Sequence, residues 1–297
     1  MEVTARAFAK VNLVLEVLGK RPDGYHEVAT VLQTISVHDE VRSRLADDLA
    51  LGACGDIPPR DNLVLRAAEA LRAATGSRQG AHLSCAKDIP VAAGLGGGSS
   101  DAAATLRALD ALWGLKTPRE QLLAVAAGLG SEVPFFLWGG AALARGRGEW
   151  IDPLPDPPPL WLVLLVPDLA VPSKTRTMYG LLGPGDYSDG SRALRLGERL
   201  RRGSLPQPEH LFNAFEGPAL RQFPALRAAH AALRALAGHA WLAGAGPALF
   251  ALFERRSAAR ACFRRLAERG YRTLLARTVG REESLGLSVA PSTGKGG

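Results

Sequence analysis

The sequence predicts an α/β (α+β) chain in two domains, and three observations carry the prediction. Stretches that alternate apolar and polar residues stand beside stretches with apolar residues every three or four positions, so strands and helices are both present. The length, 297 residues, suffices for two domains. Five prolines in nine residues, Asp152 to Leu160, read as the linker between them, because proline is excluded from central strands and helix interiors. The division is then 1–155, 160–286 and a tail, 287–297. The tail ends in "VAPSTGKGG", and its small polar residues predict disorder.

The elements follow in order. "AFAKVNLVLEVLG" alternates: Val11, Leu13, Leu15 and Val17 take one strand face, and Lys10, Asn12 and Glu16 the other. "KRPDGYHEV" is a Pro-Asp-Gly turn, and "VATVLQTISV" a second strand. "DNLVLRAAEALRAATG" is a helix capped by Asp61 or Asn62 and ended by Gly76. "AHLSCAKDIP" is a short strand running into a glycine-rich loop. The helix after the loop carries Leu106, Leu109, Leu112 and Trp113 at helical spacing. "PREQLLAVAAGLG" is another helix, and "SEVPFFLWGGAALARGRGE" a turn leading to a strand. Past the linker come a buried strand "WLVLLVPD", several helices, and "AWLAGAGPALFALFE", a strand, a glycine turn, and a strand or helix.

Composition narrows the function classes. Hydrophobic residues make up 47% and charged residues 22%, the balance of a soluble globular protein. No apolar run reaches the roughly 18 residues needed to span a membrane, so no membrane partner is expected. "MEVTARAFAK" lacks the basic and apolar regions of a signal peptide. Cys54, Cys85 and Cys262 are scattered without metal-ligand spacing, which reads as reduced thiols in a cytoplasmic protein. The net charge of +7 would suit nucleic acid or small polyanions. The excess arginine, however, lies at helical spacing ("LRLGERLRR", "FERRSAARACFRRLAERG") and no aromatic RNA-binding motif accompanies it. A nucleic-acid partner is therefore not expected.

"PVAAGLGGGSSDAAATL", Pro90 to Leu106, carries the chemistry. Each glycine costs backbone entropy, so a cluster ahead of a helix implies backbone N–H groups that a ligand approaches closely. A helix N-terminus supplies spare N–H groups and a positive dipole end. Together they form an anion cradle. No Gly-Lys-Ser/Thr ends the loop, and Ser99 stands where a dinucleotide fingerprint needs its last glycine. The reading is a phosphate loop over Pro90, Gly94, Leu95, Gly96, Gly97, Gly98, Ser99 and Ser100.

This loop resembles the phosphate loop of the GHMP kinases. Within that family its "GLGGGSSDAA" form is similar to the branch that acts on a diphosphocytidyl methylerythritol in the non-mevalonate isoprenoid pathway. "AKVNLVLEVLGKRPDGYHEV", "NLVLRAA" and "HLFNAFE" (with Asn213 and Glu216) are similar to further segments of the same branch, so the resemblance spans almost the whole chain. It implies a two-domain fold, with an N-terminal domain like ribosomal protein S5 domain 2, a C-terminal α+β domain and an active site in the cleft between them. It implies ATP as co-substrate with Mg²⁺, a small-molecule acceptor, and either a monomer or a homodimer.

The resemblance also assigns roles. Asn62 and Leu63 fall beside the adenine. Lys10 falls where a catalytic cation stands, and Asn12, two residues on, where the acceptor is positioned. Tyr25 and His26, with Thr175 and Tyr179 (or Ser173) as a second wall, fall at a cytosine pocket. Gly246, in "AGAGPAL", falls at a substrate-phosphate contact, although Pro247 removes an N–H there. Members of the family read Gly-Ala-Asp-Val-Pro at the catalytic carboxylate. This chain reads Gly130-Ser131-Glu132-Val133-Pro134. Glu132 keeps the charge on an arm longer by about 1.5 Å. Two rival readings stay open: a kinase of the homoserine or mevalonate type, and a weakly catalytic nucleotide-binding scaffold.

Overall fold

A computed structural model describes residues 1–55 and 57–291. The polypeptide opens with two long antiparallel strands, β1 (Glu2–Lys20) and β2 (His26–Ala46), joined by the Pro-Asp-Gly turn. β3 (Leu49–Leu51), α1 (Leu63–Thr75) and β4 (Gly80–Ala86) follow. Gly76 closes α1 at φ +68°, a left-handed conformation that glycine adopts without strain. Next come α2 (Gly97–Leu112), α3 (Arg119–Leu129), α4 (Val133–Trp138), β5 (Ala141–Gly146) and β6 (Trp150–Leu154). One half of β2 pairs with β4 and the other with β5, so a single strand spans the whole first sheet.

The second sheet is antiparallel and four-stranded. It consists of β7 (Trp161–Leu165), β9 (Trp241–Leu242), β10 (Leu249–Phe253) and β11 (Thr273–Arg277), in the order β11-β7-β10-β9. Between β7 and β9 run α5 (Lys174–Gly180), α6 (Ser191–Arg201), the short β8 (Phe212–Asn213), α7 (Glu216–Gln222) and α8 (Pro224–Ala237). α9 (Arg256–Ala267) joins β10 to β11, and α10 (Arg281–Leu285) leads to β12 (Leu287–Ala290).

Strand alternation arranges these elements in four layers. On one side of the first sheet Val3, Ala5 and Ala7 pack on Leu71, Leu106 and Leu109 of α1 and α2. On its other side Val11, Leu13 and Val31 meet Leu162, Leu164 and Phe250 of the second sheet. The reverse face of that sheet, with Val163, Leu165 and Ala251, meets Leu226, Leu233 and Leu266 of α8 and α9. The middle core welds the two sheets into one body, and the cleft opens at the C-terminal half of β1.

Four local expectations change. "SEVPFFLW" is a helical turn, α4, rather than a plain turn, because Pro134 at its start presets the helical φ. The linker starts only at Pro155, since Asp152 and Pro153 belong to β6. β6 is an edge strand, where a proline's missing N–H costs no ladder bond. The tail is not disordered over 287–290, for these residues pair with Glu2–Ala5 as β12. Its remainder, 292–297, lies outside the described residues. Finally, Glu16 leaves the face of Lys10 and Asn12. Leu13 is an extra residue between pairs Asn12/Leu32 and Val14/Val31, and this bulge switches the alternation. Leu15 therefore lines the cleft, while Glu16, fully buried, accepts a hydrogen bond from Ala193 N at 2.9 Å under α6.

Candidate active site

A cleft of about 1070 Å³ runs from the glycine loop past Lys10 to the turn at Tyr25. The glycines shape one end. Gly94 sits at φ +87° and Gly96 at φ +77°. A Cβ on Gly94 would lie 2.2 Å from Ala243 O, and one on Gly96 2.7 Å from the Phe136 ring. Both must therefore be glycine. Lys10 N donates to Leu95 O at 2.9 Å and Ala248 N to Ala93 O at 3.1 Å, fixing the loop between the two sheets. α2 begins at Gly97 with no side chain capping it. The N–H groups of Gly97, Gly98 and Ser99, which have no intrahelical partners, lie at the wall of the cleft.

Behind the loop lies a buried charge cluster the motif reading did not include. Lys87 bonds to Asp39 and, at 2.5 Å, to Asp101 Oδ2. The second oxygen of Asp39 accepts Asp88 N at 2.6 Å and Ile89 N at 2.8 Å, which anchors the chain just ahead of Pro90. Burial works against the Lys87 charge, but Asp101 and Asp39 outweigh it and hold the ammonium above its ordinary range. One ammonium serves two carboxylates. Burial, aided by Asp39, accordingly pushes Asp101 up to about 7.

The polar line along β1 is the centre of the site. Lys10, 2% exposed, places Nζ 2.8 Å from Asn12 Oδ1 and 2.8 Å from Glu132 Oε1. Asn12 Nδ2 donates to Thr30 Oγ1 at 2.8 Å, and Thr30 donates on to Val14 O at 2.6 Å. Each group is thus oriented by the next. Gly244 backs the ammonium: a Cβ there would lie 2.9 Å from Lys10 Nζ. Glu132 projects from the residue before α4, with its side chain 38% exposed to the cleft.

At the far end stand aromatic rings. The His26 ring stacks on Tyr179 at 4.5 Å between centroids, and Tyr179 meets Phe215 edge-on at 4.8 Å. Tyr25 is 52% exposed, with the Arg147 guanidinium 4.7 Å from its ring centre. Burial, then Lys20, lowers the His26 pKa. Burial, then Glu132, pushes Tyr179 up to about 12. A flat heterocycle could stack on the open face of this aromatic cluster, with its polar edge toward the imidazole.

The cleft gathers Lys10, Asn12, Tyr25, His26, Leu63, Pro90, Gly94 through Ser99, Glu132, Thr175 and Tyr179. Three expected residues are not on its wall. Asn62 is a helix cap: Oδ1 accepts Val64 N at 2.9 Å and Nδ2 donates to Cys54 O at 3.2 Å, so its polar atoms are used within the fold. Ser100 Oγ donates to Phe8 O at 2.7 Å and its N to Gly96 O at 2.9 Å, pinning α2 to β1. Gly246 N donates to Ala243 O at 2.8 Å and closes a turn. Asn213 holds that turn from behind, donating Nδ2 to Leu242 O and Gly244 O at 2.7 and 2.8 Å.

Among the cleft residues that the motifs did not mark, a second lysine stands near Lys10. Lys174, at the start of α5, donates Nζ to Gly246 O at 3.1 Å. Burial and then Lys10 lower its pKa to about 8, with Glu132 opposing. Its neighbours in sequence, Ser173 and Thr175, matched a motif; an isolated lysine beside them carried no signal.

The arrangement agrees with what the chain is similar to. Residues 62–140 match the GHMP kinases N terminal domain, and residues 192–272 the GHMP kinases C terminal domain. A 4-diphosphocytidyl-2-C-methyl-D-erythritol kinase of Pelotomaculum thermopropionicum is 44% identical over 284 residues, 94% of this chain and 98% of that protein. One from Dehalococcoides mccartyi is 39% identical over 281 residues, 94% and 99% of the two chains. A crystal structure of 4-(cytidine 5'-diphospho)-2C-methyl-D-erythritol kinase superposes with a TM-score of 0.79 at 38% identity, over 94% of this chain and all of the other. A homoserine kinase from Cytophaga hutchinsonii shares the fold at 0.73 but only 20% identity. This chain therefore belongs to the GHMP kinases, among the 4-diphosphocytidyl-2-C-methyl-D-erythritol kinases.

Proposed function

We propose that the protein transfers the γ-phosphoryl group of ATP to the 2-hydroxyl of 4-diphosphocytidyl-2-C-methyl-D-erythritol, giving the 2-phosphate and ADP. This is a step of isoprenoid precursor synthesis by the non-mevalonate route. The observation that carries the reading is the Lys10–Glu132 pair, 2.8 Å apart, standing between a phosphate cradle and an aromatic pocket.

The residues divide the work. Backbone N–H groups of Gly97 to Ser99 and the positive end of α2 take the nucleotide phosphates. Leu63, which lines the cleft, would pack against the adenine. Tyr25, His26 and Tyr179 hold the cytosine. Asn12 and Lys10 place the acceptor hydroxyl, and Glu132 takes its proton as the oxygen–phosphorus bond forms and the bond to ADP breaks. The Lys10 ammonium balances the negative charge gathering on the phosphoryl oxygens.

Magnesium suits this cleft as part of the nucleotide. Among the described residues no group of three or more His, Cys, Asp or Glu could hold a metal by itself. Phosphate oxygens and water would supply most ligands, with the Ser99 hydroxyl on the cradle side. A cytoplasmic setting suits Cys54, Cys85 and Cys262, all free thiols. No helix among the described residues is long and apolar enough to cross a membrane.

Release of ADP tests the reading. The purified protein should turn over the diphosphocytidyl acceptor, and homoserine and mevalonate far more slowly. Comparable turnover of mevalonate would refute it.

A further inference from the structure

The turn from Ala243 to Ala248 crosses the glycine loop where a phosphoryl group would need donors, and of its backbone N–H groups only those of Gly244 and Ala245, on the cleft wall, are left without a partner among the described residues. Gly246 N closes the turn on Ala243 O, Ala248 N is bound to Ala93 O, and Pro247 has no N–H. The Gly246 carbonyl even presents an acceptor toward this corner: it lies 2.9 Å from where a Gly94 Cβ would be. An acceptor beside an anion is unfavourable unless a cation covers it. Lys174 Nζ sits on that carbonyl at 3.1 Å.

We propose that Lys174 is a further anion-binding residue of this site: its ammonium, anchored on Gly246 O, donates to a phosphoryl group held between it and Lys10. The inference rests on the phosphotransfer reading above. Its geometry is independent of the glycine-loop motif, because Lys174 comes from the second half of the chain, on α5. An ammonium has three N–H donors. One is used by Gly246 O, which leaves two for a ligand. The partner phosphoryl is either the one in transfer or the diphosphate of the acceptor. Both present the same chemistry to a lysine, and kinetics separates them.

The charged groups that face Lys174 are Lys10 on β1 and Glu132 before α4, while Arg176 and Tyr179 lie on its own helix. Burial and the Lys10 charge bring its titration to about 8. Below that pH it is a cation; above it the donor remains but the charge is lost. The free protein should therefore show kcat/KM falling as pH rises through about 8. A bound phosphoryl would raise the Lys174 pKa, so kcat should fall only at higher pH.

Lys174→Met keeps the stem and removes the ammonium. It should lower kcat/KM about 10–100-fold, the scale of a hydrogen bond to a charged group, and abolish the limb near pH 8. A loss confined to kcat assigns Lys174 to the phosphoryl in transfer; a raised KM for the acceptor alone assigns it to the diphosphate. Lys174→Arg keeps the charge and does not titrate in this range. It should recover part of the rate, also without the limb. A Lys174→Met protein with the wild-type rate and pH profile overturns the proposal. If the wild type turns over no acceptor, the phosphotransfer reading fails, and inorganic pyrophosphate then decides for Lys174 by calorimetry at pH 7. Binding about 10–100-fold weaker in Lys174→Met supports the assignment, and equal binding overturns it.

Discussion

Replacing Glu132 by Gln separates catalysis from stability at the centre of the site. The substitution keeps the length of the arm and removes the charge. Its stability cost should be small. The carboxylate lies 2.8 Å from Lys10 Nζ but is 38% exposed, so water and the cleft screen the pair. Lys10 is buried, so the cost should sit at the upper end of the range for exposed pairs, about 1 kcal/mol. Lys10 is 2% exposed and would be left more dependent on Asn12 Oδ1, also at 2.8 Å, while a Gln amide oxygen can still accept from it. Melting should fall by no more than about 4 °C. The rate effect should be far larger. A positioned acid–base group is worth roughly 10²–10⁴-fold, or about 3–5 kcal/mol of barrier. The loss should appear in kcat, with the KM for ATP nearly unchanged, because the nucleotide cradle is backbone N–H.

Aspartate at 132 checks the geometry behind this. Its arm is shorter by about 1.5 Å, which would open the 2.8 Å contact unless the start of α4 moves. Glu132→Asp should retain clearly more activity than Glu132→Gln, since it keeps the base. Lys10→Met should be at least as damaging as Glu132→Gln. The double variant should lose less than the product of the single losses, as residues acting as one unit do. Steady-state ADP release at saturating acceptor measures all four. Near wild-type turnover in Glu132→Gln, with Lys10→Met inactive, would refute a base role. Lysine electrostatics and positioning alone would then carry the transfer.

Three further outcomes are expected. Tyr25→Ala should raise the KM for the diphosphocytidyl acceptor by the equivalent of one stacked ring, about 1–3 kcal/mol. It should leave the KM for ATP and the melting temperature nearly unchanged, the ring being 52% exposed; a defect on the ATP side would place Tyr25 in the wrong pocket. Gly94→Ala should destabilise the fold and weaken ATP together, because its Cβ meets Ala243 O at 2.2 Å, whereas Gly98→Ala, with only Leu63 at 3.5 Å, should melt close to the wild type. Burial pushes Glu216 up to about 7 although it accepts Leu242 N at 2.9 Å, so the folded protein holds a proton that the unfolded chain has released, and stability should fall as pH rises from about 4.5 to 7. Asp101, also held near 7 by burial, adds to the same slope, so Glu216→Gln should reduce it in thermal melts without removing it, and an unchanged slope would assign it to Asp101 or another group.

What the sequence made legible, and what it did not, follows from the range of the interactions involved. The glycine loop could be read because positive φ at Gly94 and Gly96 is a demand of the local backbone. Lys10 and Asn12 shared a face because alternation holds over two residues. The same rule failed four residues later: the bulge at Leu13 is set by pairing with β2, which alternation within one strand does not contain. β12 was missed for a related reason. "LSVA" is too short to stand out, and only the free edge of β1 makes it a strand. The site shows a subtler limit. Asn62, Ser100 and Gly246 sit inside motifs, and a motif marks residues the site needs without saying which way they face. All three turned out to brace the walls: a cap for α1, a pin between α2 and β1, and a turn that presents its carbonyl. Lys174 is the converse. The motif beside it marked Ser173 and Thr175 but not the lysine between them, since its burial and its closeness to Lys10 arise only in the folded chain. An anion site built from both halves of a chain has donors that no single stretch announces. The residues that complete it must be sought where folding leaves a cation facing a carbonyl with nothing else to bind.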